Sequence, residues 1–361
     1  MDHIELTLTA ENADERALRK FIDDLQRLKD LPSAVIDLNH RSPSVIELKI
    51  RYPLTIFDRS VAQFLAVLFG EIPYMRAFGQ AQFEDLVLPP QVYEWFSGPA
   101  FGATSVLDRF GAESPLLVAI LKPSLDPDLT IDALEKRIRQ PLRGGFHAAK
   151  DDEVQGDFPK LPLNSRLDLA ARTRGYIPAV NLDDPLALRE VVQRSEIGMV
   201  LVNGTIIGFP ALYELRKYTR VPILSHLSMQ GIYATSFSPR LYALLHRLFG
   251  SDALISPIGD THYYRASKAE ESEIVRTLTS ELPIAPTIPL LTGGGSLQNL
   301  ASLMAPYEAA NLPYGIVLGG LIFNSNREPQ EMARTVVKKV KEVKQEKNNA
   351  DVIPPWLKHV W

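Results

Sequence analysis

The chain has 361 residues, 45% of them hydrophobic and 23% charged, with a formal net charge of -4. That balance is ordinary for a globular protein and excludes a nucleic-acid surface built on excess Lys and Arg, while leaving room for a small anion bound locally. Cysteine is absent, which excludes disulfides, thiolate nucleophiles and Cys-ligated metal centres, so any metal rests on oxygen or imidazole ligands.

The opening stretch, MDHIELTLTAENADE, is acidic where a signal peptide is basic, and no apolar run reaches the length of a membrane span. A cytoplasmic protein without membrane or nucleic-acid partners is therefore expected. IELTLTA and VIELKIRY alternate like strands, and ADERALRKFIDDLQRLKD has amphipathic helical spacing. These predict a small N-terminal α/β sandwich of ferredoxin-like type over residues 1–112.

From about Pro115 short apolar runs alternate with longer helical segments. PLLVAIL stops at Lys122, GGFHAA at Lys150, YIPAV at Asn181 and GMVLV at Asn203; VPILS precedes His226, ALI Ser256, IPLL Thr292 and YGIVL Gly319. Continuous apolar runs suit strands buried on both faces, and the eight of them predict a (β/α)8 TIM barrel over residues 113–331. A doubly wound sheet would alternate similarly, and the count of eight decides for the barrel. EMARTVVKKVKEVKQEK predicts a basic amphipathic helix whose lysines form a solvated face. It begins a C-terminal helix and tail over residues 332–361 that includes Pro354 and Pro355.

Residues just past the C-terminal ends of barrel strands line the mouth where barrel enzymes do chemistry. In GGFHAAKDDE, Gly144 to Glu153, residues two apart share a face, so Lys150 and Asp152 point into the mouth, Asp151 points away and the following turn brings Glu153 round. Two carboxylates supply hard oxygens for Mg²⁺, which a lysine ammonium would repel. The conflict disappears if the neutral amine captures CO2 and becomes an anionic carbamate, and desolvation favours that neutral amine. By spacing alone, KDDE also reads as a surface salt-bridge run.

This stretch resembles the GGxDFxKDDE signature of the RuBisCO large-chain superfamily. The resemblance implies a carbamylated Lys150 that binds magnesium together with Asp152 and Glu153. AILKPSL resembles the family's IKPKLG strand end and places Lys122 at its proton-moving lysine, with Ser124 in place of the second lysine. SHLSMQG resembles the strand-five segment and keeps its active-site histidine as His226. TGGGS, with Thr292, Gly293 and Gly294, and VLGG, ending at Gly319 and Gly320, resemble the family's two phosphate-holding glycine elements. Backbone N–H groups at such turns can cradle a phosphate, which only Gly lets approach closely. Singly, the triple glycine also reads as a loop needing positive φ, Lys122 as a core-edge lysine and His226 as a buried histidine. RYPLTIFDRSVAQFLAVLFGEI extends the resemblance into the small domain.

The departures are as informative. Leu227 replaces a phosphate-binding arginine, and Ile255 stands where the family has a histidine. SPIGDTHYYRASK has no lysine over the substrate, Lys268 falling in the following helix. The small domain lacks the TGTWT-like segment, and Val67 replaces an asparagine. Carboxylation of ribulose bisphosphate is not expected. The resemblance to a RuBisCO-like protein implies instead a homodimeric, Mg²⁺-dependent enzyme that enolises, isomerises or decarboxylates a phosphorylated small molecule. Lys122 is the favoured base, with His226 and Arg265 as helpers and His262 as a loop acid. A methionine-salvage enolase is the alternative within the family, although no lysine lies between Glu71 and Phe96; a barrel that only binds is the alternative outside it. Asn181 and Asn203 read as ligands for a substrate hydroxyl or metal-bound water, or as strand-end caps. His147 reads as site or core.

Overall fold

The computed structural model describes residues 2–28, 35–226 and 228–347. Pro354 and Pro355, with the tail expected around them, lie outside the described residues, as does Leu227. The chain opens with β1 (His3–Glu11), α1 (Glu15–Leu28), β2 (Val35–Ser42), β3 (Val45–Pro53), α2 (Val61–Phe69) and β4 (Gln80–Val87). The sheet order β2-β3-β1-β4, antiparallel throughout, is that of a ferredoxin-like sandwich. Its register follows from pattern: β3 alternates buried and half-buried residues along its whole length, so Leu6 pairs with Ile50 and Leu8 with Leu48 on the covered face. Asp14 begins α1 by accepting the Arg16 and Ala17 N–H groups on Oδ1, which satisfies donors the helix itself leaves open.

Eight parallel strands follow: β5 (Leu116–Ile120), β6 (Ala148–Lys150), β7 (Tyr176–Ile177), β8 (Val200–Val202), β9 (Ile223–Ser225), β10 (Ala253–Pro257), β11 (Ile288–Thr292) and β12 (Gly315–Leu318). They form one sheet in the order β7-β6-β5-β12-β11-β10-β9-β8. Its two ends meet where Leu201 N–H donates to Pro178 O and Val180 N–H to Leu201 O, both at 2.9 Å. The barrel expected from the eight apolar runs is therefore present. Regular pairing in YIPAV is shorter than its apolar run, because Pro178 has no N–H to give the ladder. The start of GGFHAA is likewise not strand: Gly144 caps the helix Ile131–Arg143, and Gly145 turns the chain at φ +98.

Strand parity divides the apolar residues into two layers. Leu116, Val118, Ala148, Ile177, Leu201, Leu224, Ile255, Leu290 and Val317 belong to one cluster inside the barrel, which Ala103 and Val106 of the helix Gly102–Arg109 join. Leu117, Ala119, Ala149, Val200, Val202, Ile223 and Leu291 pack outward against the surrounding helices. Two or four residues beyond the inner layer, the inward register reaches Lys122, Lys150 with Asp152, Asn203, His226, Thr292 and Gly319. That is why chemistry-bearing side chains collect at this end.

The small domain docks on the flank of its own barrel. Phe83 of β4 donates its N–H to Ser236 O at 2.7 Å and accepts from Ser238 N–H at 2.8 Å, beside a T-shaped Phe69–Phe237 contact. The helix Pro329–Lys347 lays Met332, Ala333, Val336, Val340 and Val343 on the barrel and leaves Lys338 exposed. Among the described residues, no helix is long and apolar enough to cross a membrane.

Candidate active site

A cavity of about 410 Å³ opens at the C-terminal mouth of the barrel. Lys122, Lys150, Asp152, Glu153, His226, His262, Thr292, Gly293, Gly294, Gly319 and Gly320 all line it. Strand ends far apart in sequence are thus brought to one place.

The KDDE run divides by parity. Asp151 turns outward and is fully enclosed: Arg166 Nη1 donates to Oδ2 at 2.6 Å, Ala179 N–H to the same atom at 3.0 Å, and the Tyr176 hydroxyl to Oδ1 at 2.7 Å. Arg166 also donates to the carbonyls of Ala179 and Gly156, which fixes the chain after β6. Lys150 and Asp152 turn inward. Lys150 is completely buried, its ammonium donating to the Asp151 carbonyl at 2.7 Å. Burial dominates its electrostatics and lowers its affinity for a proton, against the pull of Glu153 and Asp152. Asp152 is ion-paired with Lys122 and accepts the Ser124 hydroxyl at 2.7 Å. Burial opposes its ionisation, but the Lys122 and Ser124 hydrogen bonds outweigh burial and hold the carboxyl well below the usual carboxylate range.

Glu153 is carried by a chain of polar side chains. Asn181 donates from Nδ2 to the carbonyls of Glu153 and Gln155, each at 2.9 Å. Asn203 donates to Glu153 O at 3.1 Å and to Asn181 Oδ1 at 2.7 Å. The Ser228 hydroxyl donates to Asn203 Oδ1 at 3.0 Å and so receives the Nδ1 proton of His226 at 3.1 Å. His226 Nε2 then faces Glu153 Oε2 at 3.2 Å with its lone pair. Burial pushes the imidazole down to about 3, so it is neutral at physiological pH, and burial raises the proton affinity of the Glu153 carboxyl facing it.

Four of the residues singled out do not line this cavity. Neither Asn181 nor Asn203 lines the cavity, because their amides are consumed by the backbone of the Glu153 turn; they are positioning groups. Arg265 is exposed and is not among the cavity-lining residues, since loop 258–267 turns outward before the helix Lys268–Thr279. His147 lies outside the site and accepts the Leu117 N–H on Nδ1 at 2.9 Å. Lys268 opens its helix as expected and pairs with the buried Glu271, not with the cavity.

Sequence reading missed Tyr263, Tyr264, Ser296 and Asn324, which also line the cavity. They belong to loops or short turns, where no periodicity marks direction; the paired aromatics of the loop after β10 were the available signal. Gly293 and Gly294 adopt φ +89 and +88. At Gly293 a Cβ would come within 2.3 Å of Tyr264 Cε2, so glycine is required by the loop packed on it as much as by any ligand. Ile255 forms part of the wall, apolar where a second anion would need a charge.

The donor set suits a hard cation. Among the described residues no group of three or more His, Asp and Glu side chains could hold a metal, so this set reaches three only if Lys150 joins as an anionic carbamate. A wholly buried amine disfavoured as a cation, beside two cavity-facing acids, fits that role.

Fold and site together define a (β/α)8-barrel protein with a ferredoxin-like N-terminal domain and an acid–lysine cavity at its mouth. Residues 11–92 match the family described as ribulose bisphosphate carboxylase large chain, N-terminal domain. The chain is 26% identical over 340 residues to a 3-oxo-isoapionate-4-phosphate transcarboxylase/hydrolase of Xanthobacter autotrophicus, covering 88% of this chain and 80% of that protein. It is 26% identical over 293 residues to a 2,3-diketo-5-methylthiopentyl-1-phosphate enolase of Bacillus cytotoxicus, covering 73% and 68%. The crystal structure of a RuBisCO-like protein from Burkholderia fungorum superposes with a TM-score of 0.82 at 19% identity, covering 99% of this chain and 97% of that one. Its similarities therefore lie within the RuBisCO large-chain superfamily, among the RuBisCO-like proteins.

Proposed function

We propose that this protein is a magnesium-dependent, non-carboxylating enzyme that forms an enolate or enediolate from a monophosphorylated ketose or oxo-sugar acid, by removing a proton or CO2 next to a carbonyl. The observation that carries this reading is the convergence of Lys150, Asp152, Glu153, Lys122 and two glycine turns on one cavity. Lys150 as a carbamate, Asp152 and Glu153 would hold the cation. When bound, Mg²⁺ would polarise the carbonyl oxygen and offset the charge that develops there.

The chain's own groups supply the rest. Lys122 now holds its proton between Asp152 and Ser124, its amine 2.8 Å from Ser124 Oγ. Released from the carboxylate, it must first give that proton to solvent, and the neutral amine is then placed to accept a proton from carbon. The exposed His262 is a candidate to return a proton to oxygen, whereas neutral His226, with Nε2 unprotonated, can accept a hydrogen bond. Backbone N–H groups around Gly293, Gly294, Gly319 and Gly320 would receive one phosphate. Ile255 disfavours a second, which argues against a bisphosphate substrate. Two relatives carry names of enzymes acting on phosphorylated oxo compounds, which supports an enzymatic role. The methionine-salvage alternative is weakened by the lack of lysine between Glu71 and Phe96. The active form would be a homodimer, as the family resemblance implies.

The test is a ¹³C-bicarbonate and Mg²⁺ titration followed by NMR, joined to deuterium exchange at the carbon next to the carbonyl across phosphorylated ketoses and oxo acids. A carbamate signal lost in Lys150→Ala, together with exchange that needs Mg²⁺, is expected. Exchange that survives Lys150→Ala unchanged rejects the reading.

A further inference from the structure

The loop after β10 is keyed onto the glycine turn after β11. The Thr261 hydroxyl is shared between Gly293 O and Ile258 O, 3.2 Å from each, and its Cβ would stand 2.8 Å from a Cβ at Gly294. Tyr264 completes the key: its Cδ2 and Cε2 atoms rest against Gly293, and Tyr263 backs it edge-on with ring centroids 5.5 Å apart. Gly259 at the base of the loop donates its N–H to the buried Glu271 at 2.7 Å, and Asp260 N–H closes the loop onto Ala266 O at 2.9 Å. The ring of Tyr264 therefore has a fixed seat in the cavity wall.

Its hydroxyl is left over. Among the described residues it has no hydrogen-bond partner, it is not one of the sealed, unsatisfied buried atoms, and the residue that carries it lines the cavity. A hydroxyl carried on a well-packed ring in a cavity wall and bonded to no protein group is free to exchange water for a ligand oxygen. We infer that Tyr264 is a further catalytic residue, whose phenol donates a hydrogen bond to the substrate oxygen that gains negative charge, from the wall adjoining the phosphate-binding glycine turn. Burial, reinforced by the charges of Glu153 and Asp152, raises this phenol to about 12, so it keeps its proton at working pH. A neutral donor aimed where charge develops stabilises the transition state more than the ground state. The loop thereby offers a donor where it carries no lysine before Lys268. The inference rests on the proposed enolising function and deepens it by naming the group that meets the oxyanion.

The test is calorimetric titration of the full chain in Mg²⁺ and bicarbonate with two probes, 2-phosphoglycolate, whose carboxylate mimics an enediolate, and inorganic phosphate. Tyr264→Phe keeps the ring on Gly293 and removes only the hydroxyl. About tenfold weaker 2-phosphoglycolate binding, with inorganic phosphate within about twofold and the melting temperature unchanged, is expected. Unchanged 2-phosphoglycolate affinity overturns the assignment and leaves the proposed function standing. Equal losses for both probes, or a lowered melting temperature, assign the hydroxyl to the fold and also overturn it. If the unmutated protein binds no 2-phosphoglycolate, the proposed function falls and this inference with it.

Discussion

Asp151 and Asp152 are neighbours of the same chemical type, and the pleat sends them to opposite sides of the barrel wall. Outside, Asp151 is saturated by Arg166, Tyr176 and the Ala179 N–H, in a pocket with no room for a ligand. Inside, Asp152 faces a cavity, and the amine that neutralises it is itself part-exposed. A carboxylate whose every partner is fixed protein holds structure, whereas one with a movable partner and open space can exchange that partner for a cation. One residue of displacement along a strand separates the two roles.

The largest effect that separates them is on stability. Asp151→Ala leaves the Arg166 guanidinium buried and unpaired, and should cost about 3–5 kcal/mol in denaturant unfolding. Asp152→Ala strands only a part-exposed lysine and should cost under about 1 kcal/mol while abolishing Mg²⁺-dependent exchange. Equal losses in both variants would erase the distinction. Lys122→Met should lower substrate deuterium exchange by about 10² to 10⁴-fold with little change in melting temperature. Retained exchange would remove Lys122 as the base.

The barrel's opposite end sharpens the contrast through pH. Asp252 is wholly buried and accepts the N–H groups of Phe101, Gly102 and Ile223; burial pushes it up to about 6 from 3.8. Because its folded value is the higher one, its contribution is complete below pH 3.8 and is lost as pH climbs through about 6. Thermal unfolding should show a fall of up to about 3 kcal/mol across that window, absent in Asp252→Asn. Next in size, Asn203→Ala removes one of the two amide donors on the Glu153 carbonyl and should weaken Mg²⁺ binding by about 10 to 100-fold, read by titration with Mg²⁺ in bicarbonate. Smallest is Arg265→Ala, expected to leave exchange within about twofold because the side chain is outside the cavity.

Much of this was legible before any coordinates. Each of the eight apolar runs overlaps a barrel strand, and alternation alone directed Lys150 and Asp152 inward and Asp151 outward. The same rule gave the inward register to Asn203, yet its amide never reaches the cavity. Parity fixes where a side chain starts out, not what the next turn lays across it, and here the Glu153 turn folds over Asn181 and Asn203 and takes their donors. Arg265 and Tyr264 are adjacent in one loop, where no period sorts them, and only packing on Gly293 chose Tyr264 for the wall.

By itself the sequence determined the architecture and the chemistry carried at each strand end, because strand burial and two-residue alternation are local properties written in the order of residues. The partner of each polar group was decided by tertiary structure alone. Hydrogen bonds at the mouth join β6 to β7 and β8, β9 to the Glu153 turn and the loop after β10 to β11, and such contacts exist only once the ring of strands has closed.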